Sequence, residues 1–218
     1  MGKTAIILGA TGLTGSVLLQ QLLDDSRYDK IKLFSRSASV IKHEKVEEYL
    51  IDLFELKSHQ DKFRGDVVFC CIGTTKAKTP DQEEYLKIDY GIPVSAAEMA
   101  KENGIKTFIA ISALGANKDS KTFYNRTKGK MEEAVLAEQI PHTYLLQPSL
   151  IGGKRDEKRA GEDFGKIMLS FFDPFLMGSL KKYKAIKPQT IARCMVLLDN
   201  TSYPNNRILS DDIKEIAK

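Results

Sequence analysis

The segment Gly9-Ala10-Thr11-Gly12-Leu13-Thr14-Gly15 joins two stretches of different hydrophobic period. Lys3–Leu8 has the apolar continuity of a buried strand, whereas Gly12–Leu23 carries apolar residues at helical spacing. Three glycines at three-residue intervals therefore fall on a strand-to-helix turn. Backbone N–H groups and the positive end of a helix converge at such a turn, and the missing side chains let an anion approach. Gly9 suits the tight turn, Gly12 the close approach of a phosphate, and Gly15 the packing of helix on strand. The expected ligand is a pyrophosphate, with Thr11, Leu13 and Thr14 alongside the glycines.

Strand-like and helix-like segments alternate beyond this turn. Lys30–Arg36, Lys45–Leu53, Asp66–Gly73, Lys106–Leu114 and His142–Ile151 read as strands. Gln82–Asn103, with Pro93 inside it as a kink or boundary, and Phe123–Glu138 read as helices. Runs such as Val67-Val68-Phe69-Cys70-Cys71-Ile72 are apolar on both faces, as parallel strands are. Repeated βα units of this kind predict an α/β fold: a doubly wound parallel sheet of Rossmann type with helices on both faces. Past residue 151 the alternation loosens. A charged loop at 152–162 precedes an apolar segment at 164–180, then a helix at Gln189–Leu198, an edge strand at Arg207–Ser210 and a final helix at Asp211–Lys218, capped by Ser210 or Asp211. The expected organisation is a single domain over 1–218, with 152–218 forming a small appendage on the substrate side.

Composition narrows the function classes. A net charge of +4 on 218 residues suits an anionic cofactor and falls short of the clustered bias of a nucleic-acid surface. Cys70, Cys71 and Cys194 have no metal-ligand spacing, and their odd number points to a reducing compartment. No signal peptide or membrane-length apolar run is found, so a cytoplasmic protein without integral membrane contact is expected.

The ends of the remaining strands carry the candidate chemistry. Where an acidic residue would accept from adenosine ribose hydroxyls, the second strand ends in Ser35-Arg36. A guidinium-bearing side chain there pairs with a 2′-phosphate, which predicts NADP(H) in preference to NAD(H). Asp52 is placed either to accept from the adenine amino group, with Leu53 against the ring, or to cap the helix that follows. Gly73, Thr74 and Thr75 end the fourth strand, where close backbone approach and hydroxyl donors suit ribose or phosphate oxygens. The spacing Tyr-x-x-x-Lys occurs three times, at Tyr28…Lys32, Tyr124…Lys128 and Tyr183…Lys187. Only Tyr124…Lys128 begins a predicted helix, where i and i+4 share a face, and only it follows a strand ending in a hydroxyl, Ser112. These three form a catalytic set for reducing a carbonyl. Tyr124 gives the proton, Lys128 lowers the tyrosine pKa and reaches the nicotinamide ribose, and Ser112 holds the substrate oxygen.

Taken together, Gly9–Gly15, Ser35-Arg36, Asp52-Leu53-Phe54-Glu55-Leu56, Phe69–Thr75, Asp89, Ile111–Ala116, Tyr124–Glu132 and Gln147–Ile151 resemble the atypical short-chain dehydrogenase/reductase superfamily, and within it the Tat-interacting-protein-like group. The resemblance implies cofactor contacts at the glycine loop, Arg36, Asp52-Leu53 and Gly73-Thr74, and catalysis at Ser112, Tyr124 and Lys128. It further implies that the backbone at Pro148, Ser149 and Leu150 faces the nicotinamide amide. The chain departs from typical short-chain dehydrogenases in having Cys71-Ile72-Gly73-Thr74 where they have Asn-Asn-Ala-Gly.

The expected activity is hydride transfer between NADPH and a small carbonyl compound, by a monomer or weak homodimer with no nucleic-acid partner. The alternative is a cofactor-sensing regulator that acts through protein contacts, as some relatives of the group do. A nucleotide-sugar epimerase ranks below both, because such enzymes need a larger C-terminal substrate domain.

Overall fold

The computed structural model describes residues 2–152 and 185–218. The expected charged loop beyond Gly152, the apolar segment 164–180 and Tyr183 lie outside the described residues. Seven strands form one sheet in the order β3-β2-β1-β4-β5-β6-β7, every neighbouring pair parallel. They are β1 (Lys3–Leu8), β2 (Tyr28–Ser35), β3 (Val46–Leu50), β4 (Val67–Cys70), β5 (Thr107–Ile111), β6 (His142–Gln147) and β7 (Arg207–Leu209). The expected doubly wound fold is the one present, and the final strand is an edge strand.

Six α-helices are described: α1 (Leu13–Asp24), α2 (Gln82–Leu86), α3 (Ile92–Glu102), α4 (Phe123–Ala137), α5 (Pro188–Asn200) and α6 (Ser210–Ile216). On one face, α1, α5 and α6 close over Ala5, Ile7, Leu33 and Ile109; on the other, α3 and α4 pack over Ile6, Leu8, Val68 and Phe108. Alternate residues of β1 thus serve opposite cores, which explains why that strand is apolar throughout.

The expected long helix Gln82–Asn103 is present as two helices joined by a π-helical turn, Lys87–Gly91. The Ile92 N–H reaches back to the Lys87 carbonyl, and Pro93, which has no N–H to give, sits in the first turn of α3. The proline therefore marks a wide turn rather than a break. That turn carries the buried Asp89.

The last helix departs from expectation in its cap. Neither Ser210 nor Asp211 caps α6; both lie inside it, and the Leu209 N–H is taken by the Asp212 carboxylate at 3.2 Å. The Ser210 hydroxyl is committed elsewhere, accepting from the Ser149 N–H at 3.2 Å.

Strand order reverses beside β1, where the chain leaves to β2 on one side and β4 on the other. In open α/β sheets the crevice outside the strand ends at such a reversal is where ligands bind. The glycine turn after β1 and the Cys71–Thr75 segment after β4 flank it.

Candidate active site

The glycine turn has the geometry its sequence implies. Gly9 takes φ +83°, a left-handed conformation that glycine adopts freely, and Gly12 is the N-cap of α1. The Gly12 N–H bonds back to the Gly9 carbonyl at 3.0 Å. A Cβ on Gly15 would stand 2.1 Å from the Gly9 carbonyl oxygen, so the helix touches the turn through bare backbone. With a glycine as N-cap and no acidic residue in its first turn, α1 presents its N–H groups to an anion without a competing side chain. This cradle fits a dinucleotide pyrophosphate. Thr11 stands exposed at its lip, Leu13 is half-buried, and Thr14 is turned into the protein.

At the ends of β2 and β3, Arg36 lines an open depression together with Leu50, Ile51, Asp52 and Phe54. Asp52 caps the 3-10 helix Leu53–His59, its Oδ1 accepting from the Phe54 N–H at 2.9 Å. The capping reading of that residue is the one present. Leu53 is buried in the core, and the Ser35 hydroxyl donates to the Ser37 carbonyl at 2.9 Å. Arg36 is thus the cation of this region that faces the depression.

The third group gathers where β4, the π-turn and α4 meet. Lys128 and Asp89 form an ion pair, Nζ to Oδ1 2.7 Å, with side chains 3% and 0% exposed. The second Asp89 oxygen accepts from the Thr74 N–H at 2.7 Å. Gly73 lies over the pair: a Cβ there would stand 3.6 Å from Asp89 Oδ1 and 3.7 Å from Lys128 Nζ. Thr74 also pairs hydroxyls with Thr79 at 2.9 Å, while Thr75 accepts from the Lys78 N–H, which steadies the loop. Tyr124 sits one turn before Lys128; the residue is 44% exposed, yet its phenol is subject to burial, and the lysine side chain is buried.

These environments set the protonation states. Burial works against the Lys128 ammonium, but the Asp89 carboxylate outweighs it and the lysine pKa lies above its ordinary value. Burial also pushes the Tyr124 phenol up; Lys128 pulls it down and Asp89 pushes it up again, leaving it above its ordinary value. Lys128 thus draws the tyrosine pKa down as expected, but burial outweighs that pull in the protein alone.

Ser112 is buried and its hydroxyl donates to Glu132 Oε1 at 2.5 Å. Glu132, one turn beyond Lys128 on α4, also accepts from Gln147 Nε2 at 2.8 Å and from Arg207 Nε at 2.7 Å. The strand ends of β5, β6 and β7 are thus tied to one buried carboxylate. Pro148 and Ser149 are buried and Leu150 is exposed; the Pro148 carbonyl accepts from the Leu114 N–H at 3.0 Å, and the Leu150 carbonyl from the Ile186 N–H at 2.9 Å. Asp89 and Glu132 enter the sequence reading only within the segments that carry the resemblance, with no role assigned to either. Their partners lie on elements far along the chain, and only Asp89's position one β-α unit before the Tyr-x-x-x-Lys helix hints at contact.

Fold and site define a doubly wound dinucleotide-binding protein of short-chain dehydrogenase/reductase type. A family model described as NAD(P)H-binding matches residues 9–166. The chain belongs to that family, among the atypical short-chain dehydrogenase/reductases of the Tat-interacting-protein-like group. It is 36% identical over 157 residues to "Protein FMP52, mitochondrial" of Meyerozyma guilliermondii, a match covering 70% of this chain and 66% of that relative. The relative of the same name from Debaryomyces hansenii is 35% identical, covering 75% of this chain and 74% of its own. Protein HTATIP2 of Rattus norvegicus is 33% identical, covering 73% and 67%. Among solved structures, the enzyme WbmG of Bordetella bronchiseptica in complex with NAD superposes with a TM-score of 0.70 at 14% identity, covering 100% of this chain and 76% of that one. UDP-glucose 4-epimerase of Thermotoga maritima with UDP-glucose gives 0.68 at 15%, covering 94% and 75%. The structural likeness concerns the fold alone. The expectation of a cytoplasmic protein does not stand, because the fungal relatives are named as mitochondrial. Among the described residues no helix is long and apolar enough to cross a membrane.

Proposed function

We propose that the protein is an NADP(H)-dependent oxidoreductase acting on a small carbonyl compound, with Tyr124 as general acid. The observation that carries this reading is a partly exposed Tyr124 one helical turn before a buried lysine that lies beneath the Gly73 loop. Backbone at Gly9, Thr11, Gly12, Leu13, Thr14 and Gly15 would hold the pyrophosphate. Arg36, with Ser35, Asp52 and Leu53 nearby, would receive the adenosine end, and Gly73, Thr74, Thr75, Pro148, Ser149 and Leu150 the nicotinamide end. When bound, the reduced nicotinamide supplies the hydride.

Tyr124 holds its proton at neutral pH and gives it to the oxygen that gains negative charge. Lys128, kept charged by Asp89, stabilises the phenolate that remains. Ser112 reaches a substrate oxygen by turning its hydroxyl away from Glu132, which retains Gln147 and Arg207 as donors. A mitochondrial location follows the names of the fungal relatives.

The test begins with NADPH binding, read by fluorescence, followed by turnover over a panel of small aldehydes, ketones and quinones. Tyr124→Phe is expected to abolish turnover and leave NADPH affinity within twofold. Turnover retained in that variant contradicts the acid role, and tight NADPH binding without turnover of any carbonyl favours a cofactor-sensing regulator instead.

A further inference from the structure

The helix that carries Tyr124 begins without a side-chain cap. Thr122 is the N-cap of α4, but its hydroxyl pairs with that of Ser120 at 3.1 Å instead of taking a backbone N–H of the first turn. No acidic residue stands in that turn either. A helix start of this kind depends on tertiary contacts to hold it. One is polar: Arg126 Nη1 donates to the Ser120 and Lys121 carbonyls at 2.8 and 3.1 Å. The other is aromatic. Phe123, the first residue of α4, sets its ring against that of Tyr85, with centroids 5.4 Å apart and 68° between the planes. This is the edge-to-face geometry that aromatic rings prefer.

Tyr85 is itself firmly placed. It is buried on α2, whose first turn is capped by Asp81, Oδ1 accepting from the Glu84 N–H at 2.8 Å. Its hydroxyl donates to the Thr74 carbonyl at 3.3 Å, while Thr74 gives its N–H to Asp89 and pairs hydroxyls with Thr79. One side chain therefore touches both the loop that follows β4 and the first turn of α4, one residue from Tyr124.

We propose that Tyr85 is a positioning residue for the proton donor: its ring, through Phe123, fixes the first turn of α4 and with it the place of the Tyr124 phenol relative to the loop at Gly73–Thr75. The proposal rests on the reading of Tyr124 as the acid and deepens it. A misplacement of about 1 Å at a reacting group costs on the order of a hundredfold in rate. Cofactor affinity depends far less on this contact, because the pyrophosphate cradle belongs to α1.

Two substitutions at Tyr85 divide its contacts. Tyr85→Leu removes the ring edge from Phe123. Tyr85→Phe keeps the ring and loses only the hydroxyl, and Thr74 retains Asp89 and Thr79. The measurement is the single-turnover rate of NADPH oxidation, taken with the panel carbonyl that the wild type reduces fastest, beside NADPH affinity by fluorescence. Tyr85→Leu is expected to slow the step by roughly tenfold or more and leave NADPH affinity within about threefold, whereas Tyr85→Phe restores the rate to within about twofold. Phe123→Leu should repeat the Tyr85→Leu result, and the double variant should be no slower than either, since both break one contact.

A wild-type rate in Tyr85→Leu overturns the proposal. So does a Tyr85→Phe protein as slow as Tyr85→Leu, which would assign the effect to the Thr74 contact, and so do defects that multiply in the double variant. Should Tyr85→Leu not fold, Phe123→Leu, at a half-buried residue, carries the same measurement. Failure of the acid role reads differently: no turnover by the wild type, or turnover surviving in Tyr124→Phe, removes that reading and the proposal with it.

Discussion

Gly15 meets Gly9 backbone to backbone: a methyl group on Gly15 would lie 2.1 Å from the Gly9 carbonyl oxygen. That oxygen also accepts the Gly12 N–H, so the three glycines of the turn are one interlocked unit. Gly15→Ala forces α1 away from β1, and overpacking of this kind costs roughly 1–3 kcal/mol. Because the first turn of α1 moves with it, NADPH affinity is expected to fall by roughly tenfold or more, equivalent to about 1.4 kcal/mol. Urea unfolding and fluorescence titration of the same preparation check both effects. Normal NADPH binding in a destabilised Gly15→Ala protein would separate the turn from the cofactor.

Arg36 faces an open depression, and no shape barrier there distinguishes the two dinucleotides. Any preference must come from charge. A guanidinium paired with a 2′-phosphate contributes on the order of 1.5–3 kcal/mol, roughly ten- to a hundredfold in affinity. Arg36→Asp should weaken NADPH by about that factor while leaving NADH equal or tighter, since the new carboxylate accepts from ribose hydroxyls. Parallel titrations with both cofactors settle the matter; unchanged NADPH preference in Arg36→Asp removes the arginine from the specificity argument.

The sheet was legible because its evidence is local. Val67–Cys70 and Thr107–Ile111 are apolar on both faces, as strands covered by helices on both sides must be. Strand ends were less so: Asp66–Gly73 shrinks to four paired residues, because the Cys71 N–H still reaches Leu8 but the chain must turn to lay Gly73 over Asp89. The Tyr124–Lys128 pair was legible from helical spacing together with the strand before it. Asp89 and Glu132 were not, since a buried carboxylate looks like any surface acid until its partners are known. Those partners, Lys128 and Arg207, are supplied by the tertiary fold.

Glu132 is the hub on which three strand ends converge, and its variants separate structure from chemistry. Ser112→Ala removes one of its donors but leaves Gln147 and Arg207, so a loss of only about 1 kcal/mol is expected. Glu132→Ala strands the buried Gln147 amide and Ser112 hydroxyl together, each costing about 1–3 kcal/mol. Arg207 adds less, being partly exposed and able to keep Glu133 at 2.7 Å. Chemical denaturation should rank the two variants in that order. A Ser112→Ala protein as unstable as Glu132→Ala would mean that the serine, not the carboxylate, organises the strand ends.

Burial dominates the protonation of the cysteines. Cys70 is pushed up to about 11 and Cys194 to about 12 by desolvation, and Cys71 lies higher still. The thiolate is the reactive form, so at pH 8 the folded protein should react slowly with a disulfide reagent and release all 3 thiols only on denaturation. A fast native thiol would reveal a reactive cysteine that these environments exclude.

At the opposite end of the sheet, the Tyr28 hydroxyl donates to Asp199 Oδ2 at 2.7 Å and accepts from Asn200 Nδ2 at 2.9 Å, while Lys3 Nζ reaches Asp199 at 2.9 Å. The cluster clamps α5 to β1 and β2. Burial, and then the Asp199 carboxylate, push the Tyr28 phenol far above its ordinary value. For an acid whose folded pKa is raised, the fold binds a proton that the unfolded chain has already released. Stability is then unaffected below the unfolded pKa of about 10 and falls above it, by up to about 1.4 kcal/mol per pH unit from this group. Tyr28→Phe loses the bond to Asp199, costing about 1–2 kcal/mol at pH 7, but it also removes the phenol that the fold must keep protonated. The urea midpoint of the wild type should therefore drop more steeply between pH 10 and 11 than that of Tyr28→Phe, and the two curves should converge. Parallel curves would mean that Tyr28 titrates alike in the folded and unfolded chains, and that other groups set the alkaline limit.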